Sequence, residues 1–207
     1  MTTQHETDNA AEISLGFGDA VATIGDHIAH FYRTRDQKFE VLGPYIAHGI
    51  RSGDRCLLHC SQEDGEELCA WLASNGVDVN QAQSSGQFIL VQGEATGDAQ
   101  MALAAGIESE TLNSGYKFVR SSGDWGWALS GGTSVNEMMR WEGLLDSAAS
   151  DQAKIVALCQ FDLAQFGVEA LMDALKSHPL CIMGQILVPN PFHESSETFL
   201  KDLSERN

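Results

Sequence analysis

Positive charge is scarce. Twelve Lys and Arg stand against twenty-nine Asp and Glu, a formal net charge of −17 over 207 residues. Nucleic-acid affinity comes largely from Lys and Arg that neutralise phosphates, so direct DNA or RNA binding is disfavoured, as is docking on an anionic membrane. Proline is rare too, with four residues; together with 43% hydrophobic and 20% charged residues this argues against wholesale disorder. No apolar run reaches the roughly 18 residues of a membrane span. Met1 to Glu12 is polar and acidic, without the basic-then-apolar order of a signal peptide. A cytoplasmic address is expected. The five cysteines (Cys56, Cys60, Cys69, Cys159, Cys181) are odd in number, form no CxxC and sit mostly in apolar runs. Reduced core thiols follow, rather than a disulfide framework or a zinc knuckle. A GxSxG nucleophile elbow is missing as well.

What is there is a chain long enough to bury a sizeable core as one domain. Residues 1–12 read as a disordered tail, 13–193 as the domain and 194–207 as a short C-terminal helix. Six strands are predicted: His27 to Tyr32, Arg55 to Cys60, Phe88 to Val91, Lys117 to Arg120, Ile155 to Cys159 and Cys181 to Val188. Helix-period segments lie between them. The first carries Phe39, Leu42, Ile46 and Ile50, with Gly49 and Gly53 ending it and Pro44 implying a kink or a late start. Ser61 is placed to cap the second. The fourth strand is followed by a helix from Val135 to Leu145. Apolar rather than alternating strands, each followed by a helix, predict an α/β fold with a mostly parallel sheet covered on both faces.

Open parallel sheets bind ligands at the carboxyl ends of their strands. That rule selects Phe31, Tyr32 and Arg33, then His59, Cys60 and Ser61, then Glu94, then Asp124, Trp125 and Trp127, and finally Gln160, Phe161 and Asp162. Aromatic walls with a few titratable groups are the composition of a small-molecule site. For each aromatic the alternative is a core residue, and for Asp124 and Asp162 a helix or loop cap. Glu142, beside Trp141 on a helix with Met138, Met139 and Leu145, is either paired at the helix edge or turned to the pocket. His27 either holds the strand end or touches ligand. His27 and His30 fall on opposite faces of one strand and cannot chelate together; a metal would need partners from other strands, such as His59 with Asp162. His178 before Pro179 reads as a turn residue closing a helix. No metal is expected.

Nine segments carry a resemblance to a known family: GDHIAHFY (25–32), GIRSGDRCLL (49–58), GVDV (76–79), SGQFIL (85–90), GDWGWAL (123–129), WEGLL (141–145), ALCQFD (157–162), SHPLCIMG (177–184) and VPNPF (188–192). In this order and spacing the chain resembles the MEDS family, a sensory domain named for methanogens, methylotrophs and the dichloromethane regulator. The resemblance implies a three-layer RecA/KaiC-like fold with a degenerate P-loop. It also implies a role in sensing small hydrocarbon derivatives, and a signalling partner such as a histidine kinase or transcription regulator. The chain departs from the family in having Asp124-Trp125-Gly126-Trp127 where a Glu-Met-Thr-Trp run is common, and Glu94-Ala95-Thr96-Gly97 where an aromatic is usual.

In a RecA-like ATPase a glycine-rich loop with a Lys-Ser/Thr pair follows the first strand. Here that stretch is Arg33-Thr34-Arg35-Asp36-Gln37-Lys38, without glycine. ATP hydrolysis is not expected, although an anion could sit on this basic cluster. The expectation is a non-catalytic sensory domain with a ligand set of His27, Tyr32, His59, Cys60, Asp124, Trp125, Trp127, Glu142, Phe161 and Asp162. Its cofactor is not encoded. A protein-interaction module without small ligand and a divergent nucleotide-binding enzyme are the alternatives. A homodimer stays open, and output is expected to pass through another chain.

Overall fold

A computed structural model of the protein describes residues 12–91, 97–150 and 154–206. The expected disordered tail falls almost wholly outside them, as does Glu94. Two short strands come first, β1 (Ile13–Ser14) and β2 (Val21–Ala22), paired antiparallel. Then follow β3 (His27–Tyr32), α1 (Arg35–Ser52), β4 (Arg55–His59), α2 (Gln62–Ser74), α3 (Val79–Ser84) and β5 (Phe88–Val91). The second half holds α4 (Gly97–Asn113), β6 (Val119–Asp124), α5 (Gly126–Ser130), α6 (Val135–Ser150), β7 (Ile155–Asp162), α7 (Val168–Ser177), β8 (Leu180–Met183), β9 (Ile186–Pro189) and α8 (Ser196–Ser204).

Among the described residues the main sheet has seven strands in the order β5-β4-β6-β7-β3-β8-β9. Every neighbouring pair is parallel except the β8-β9 hairpin. The α/β class and the mostly parallel sheet are therefore as predicted. Alternation along the strands feeds two cores. Ile28, Val156 and Leu158 join Leu42, Tyr45, Ile46 and Leu68 of α1 and α2 on one face. Ala29, Ala157 and Cys159 join Met138, Met139, Trp141 and Phe199 of α6 and α8 on the other. Helices flank both faces, as strands apolar on both sides require.

Four expectations need correction. The stretch Cys181 to Val188 is two strands, because Gly184 turns the chain at φ 64° between Met183 and Ile186. The fourth strand runs through Val119–Asp124 rather than ending at Arg120, so Ser121 and Ser122 are sheet residues. Hydroxyls survive there because Ser122 donates to the Leu158 carbonyl of the next strand at 2.8 Å. Helix α1 starts at Arg35, well before Pro44, with Thr34 Oγ1 accepting from the Gln37 amide. It also runs past Gly49 to a left-handed cap at Gly53, φ 81°. Gly49 serves packing instead: a Cβ there would lie 2.6 Å from Arg120 Cδ and from Cys56 Sγ. Through that gap the buried Arg120 reaches Asp54 (Nε 3.1 Å, Nη2 2.8 Å), its guanidinium 4.8 Å from the Tyr45 ring centroid.

Candidate functional site

A cavity of ≈ 100 Å³ lies between the sheet and the pair α4 and α6. Leu57, Val119, Ser121 and Ala157 line it from β4, β6 and β7, Ala104 and Ile107 from α4, Trp141 and Leu145 from α6. Trp125 and Trp127, beyond the carboxyl end of β6, complete an aromatic wall; Trp125 packs 6.1 Å from Trp127 and meets Trp141 edge-on at 6.0 Å. The polar groups are few. His59 shares a hydrogen bond with Gln100, Nδ1 to Nε2 2.9 Å, and burial pushes its pKa down to about 4, so it lines the cavity as a neutral ring. Cys159 also borders the space. Such a site suits a compact, mostly apolar molecule.

A second, more open cleft of ≈ 540 Å³ sits over the carboxyl ends of β3, β4, β6 and β7. Lys38 and Arg35 are paired with carboxylates in and beside it. Lys38 Nζ lies 2.9 Å from Asp124 Oδ2 and 3.3 Å from Asp64 Oδ1. Tyr32 Oη donates to Asp124, and burial together with that carboxylate drives the phenol far above its usual range. Arg35 bonds Asp64 and Glu67. Around the start of α1, Arg33 N donates to Gln37 Oε1 at 2.9 Å and Gln37 N to Thr34 Oγ1 at 3.3 Å. Asp162 accepts from the Ala164 amide and the Gln165 side chain.

Behind the cavity lies a dry polar cluster. His27 Nε2 is 3.1 Å from Glu142 Oε2 and 3.3 Å from Cys159 Sγ, and its Nδ1 is 3.5 Å from Asp146 Oδ1. The His178 ring stacks against His27 with centroids 3.8 Å apart, and its Nε2 lies 3.4 Å from Glu142 Oε2. Trp125 Nε1 donates to the other Glu142 oxygen. Asp146 additionally accepts from Ser196 at 2.7 Å and contacts His193 at 3.1 Å. Burial works against the His27 imidazolium, but Asp146 and Glu142 overcome it and raise the pKa to about 9. Burial likewise opposes the Glu142 carboxylate, yet the bond and charge of His27 hold it well below the usual range. Burial lowers His178, which stays neutral, and raises the Cys159 thiol well above its usual value.

The sequence-derived set is thus divided. His59, Trp125 and Trp127 line the cavity; Asp124 and Trp127 border both spaces; Tyr32 and Asp162 line the open cleft. Cys60 faces a separate groove with Cys69 and Leu90, its thiol pushed up to about 12 by burial and Asp64. Phe161 is fully buried between Phe31, Phe166 and His178 and reaches neither space. His27 and Glu142 meet in the cluster, joined by three residues that the sequence reading left out of the set, Asp146, Cys159 and His178. His178 closes α7 as expected. A carboxylate beside Trp141 on an apolar helix face was the one visible signal; register then places Ala29 opposite Cys159 and so brings His27 within reach.

The family model described as "MEDS: MEthanogen/methylotroph, DcmR Sensory domain" matches residues 26–179. Among curated proteins, the transcriptional repressor DcmR of Methylorubrum extorquens (strain DSM 6343 / CIP 106787 / DM4) is 28% identical over 153 residues, 74% of this chain and 58% of the repressor. The chain spans a little over half the length of that relative. Matched from the residue before β3 to the turn before β8, it belongs to the MEDS family of sensory domains.

Proposed function

We propose that the protein is a non-catalytic signal-input domain that takes up a small, largely apolar molecule, of the hydrocarbon-derivative class, in the cavity under α4 and α6. The observation that carries this reading is the cavity itself: a space walled by Trp125, Trp127, Trp141, Ile107 and Leu145 in which few groups can hydrogen-bond. Apolar cavities of this order stay dry and accept small hydrocarbons. The similarity to a transcriptional repressor supports a regulatory output, delivered to a histidine kinase or a transcription regulator. The pairing of Lys38 and Arg35 with carboxylates, and a loop after β3 without glycine, support a RecA/KaiC-like ancestor whose phosphate loop has degenerated.

The test is native mass spectrometry of the purified protein, followed by titration with small halocarbons, alcohols and aromatic hydrocarbons while tryptophan emission is read. Saturable quenching or a spectral shift by one class supports the reading. No response to any of them, with the cavity closed by its own side chains, would make the domain an interaction module.

A further inference from the structure

The geometry points to a metal site: we propose that His27, Glu142, Cys159 and His178 bind one divalent zinc-type ion through Nε2, Oε2, Sγ and Nε2. All four side chains are buried, and one ligand atom from each lies within 4.8 Å of the others. The separations of 3.1, 3.3 and 3.4 Å between neighbouring donors are close to the edges of a tetrahedron with zinc-ligand bonds, about 3.3–3.8 Å. Nitrogen and sulfur donors suit zinc and its neighbours rather than calcium or magnesium.

The supporting bonds make the case. A ligating histidine gives its other ring N–H to a carboxylate or backbone carbonyl, which fixes the tautomer. His178 Nδ1 lies 2.7 Å from the Ala174 carbonyl, which can only accept, so the proton sits on Nδ1 and Nε2 presents a lone pair. That Nε2 is buried without a hydrogen-bond partner and faces a carboxylate oxygen, acceptor against acceptor. An ion between them removes the conflict. His27 turns Nδ1 toward Asp146, 3.5 Å away, and Nε2 toward Glu142 and Cys159, the two other donors of the site. Trp125 occupies Glu142 Oε1 and leaves Oε2 for the ion. One thiolate and one carboxylate also balance a divalent charge, which a dry interior demands.

The site ties β3, β7 and the α7–β8 turn to α6, the helix that brings Trp141 and Leu145 to the cavity. It deepens the sensory reading, since Cys159 belongs to both the ion and the cavity wall, but it stands or falls separately.

The experiment uses the full chain, stripped with a chelator and titrated with Co(II), then Zn(II). Expected are one ion per chain, the visible bands of tetrahedral cobalt, thiolate-to-cobalt charge transfer, and a rise in Tm with zinc. Cys159→Ala should abolish the charge transfer, and His178→Gln should weaken binding at least tenfold. Asp146→Asn, a positioning change, should weaken it about 10–100-fold. Cys69→Ser should leave the spectrum intact. Absence of the thiolate band in the wild type would overturn the site, as would binding that survives both ligand variants. Should those variants fail to fold, the wild-type and Cys69→Ser spectra decide. Probe uptake by the cavity in metal-free protein is read independently, by tryptophan emission.

Discussion

Lys38 and Asp124 form an ion pair in the floor of the open cleft, Nζ to Oδ2 2.9 Å, with side chains only 5% and 6% exposed. Tyr32 donates to the same carboxylate. Removing one partner of a buried pair strands the other, a loss of about 3–5 kcal/mol. Lys38→Met should therefore lower unfolding stability in urea by that order, and Lys38→Met/Asp124→Asn should recover most of it. If the single variant is neutral, Asp124 is solvated and the cleft floor is not dry.

The proposed degeneration of the phosphate loop makes ATP the ligand to test against this cleft. Incubation with ATP and magnesium should give no hydrolysis above buffer and no rise in Tm, because only a ligand that binds the native state stabilises it. A shift of several degrees at millimolar ATP would return the protein to the nucleotide-binding class.

Cavity variants separate fold from function. Ala104→Leu places two methyls and a methine where ligand would sit, and should abolish quenching by the best probe while the protein keeps its Tm within a few degrees. Trp127→Ala should weaken the same probe by about 2 kcal/mol, within the range of buried aromatic anchors. A Trp127→Ala protein that binds as before moves the site away from this wall.

Acid should destabilise the fold through His30 and His59. Burial lowers both to about 4, in His30 with help from Lys38. Folded, they are neutral; unfolded, they take up protons near 6.5. Their contribution is complete above that value and falls as pH drops toward 4, by about 1.4 kcal/mol per unit for each histidine. In the metal-free protein His27 has the opposite sign, its contribution full below 6.5 and lost as pH rises through about 9, so it leaves the acid window untouched. His59→Gln should reduce the slope of unfolding free energy between about pH 6 and 5 by up to about 1.4 kcal/mol per unit; an unchanged slope would mean His59 is accessible to water.

Gly49→Ala improves helix propensity on paper but should cost about 1–3 kcal/mol, the range for overpacking, because the new methyl meets Arg120 Cδ and Cys56 Sγ at 2.6 Å. Chemical denaturation measures it. A stabilised variant would show that Arg120 can leave Asp54 without penalty.

The apolar strands were legible because burial on two faces leaves a run such as Cys56-Leu57-Leu58 or Ile155 to Cys159 with no alternation to obscure it. The polar end of β6 was not: Ser121-Ser122-Gly123-Asp124 reads as a turn until a neighbouring strand supplies the Leu158 carbonyl. Gly184 was equally silent, since one Gly-Gln step within an apolar run does not separate a strand from a hairpin. His59 and the tryptophans could be picked from the rule for strand ends. The polar cluster could not, because its residues are drawn from β3, α6, β7 and the end of α7, and only the strand order β7-β3-β8 makes them neighbours.

Gly143 lies one residue beyond Glu142 and two beyond Trp141 on α6, and a Cβ there would stand 2.7 Å from Leu200 and 2.9 Å from Phe199. The two helices touch with no slack, and Asp146, one turn further, grips Ser196 at the start of α8. α6 is therefore a beam fixed between two contacts, the cavity on one side and the outermost helix on the other. A displacement of Trp141 or Leu145 would meet α8 directly, because α6 and α8 are packed in close contact at Gly143.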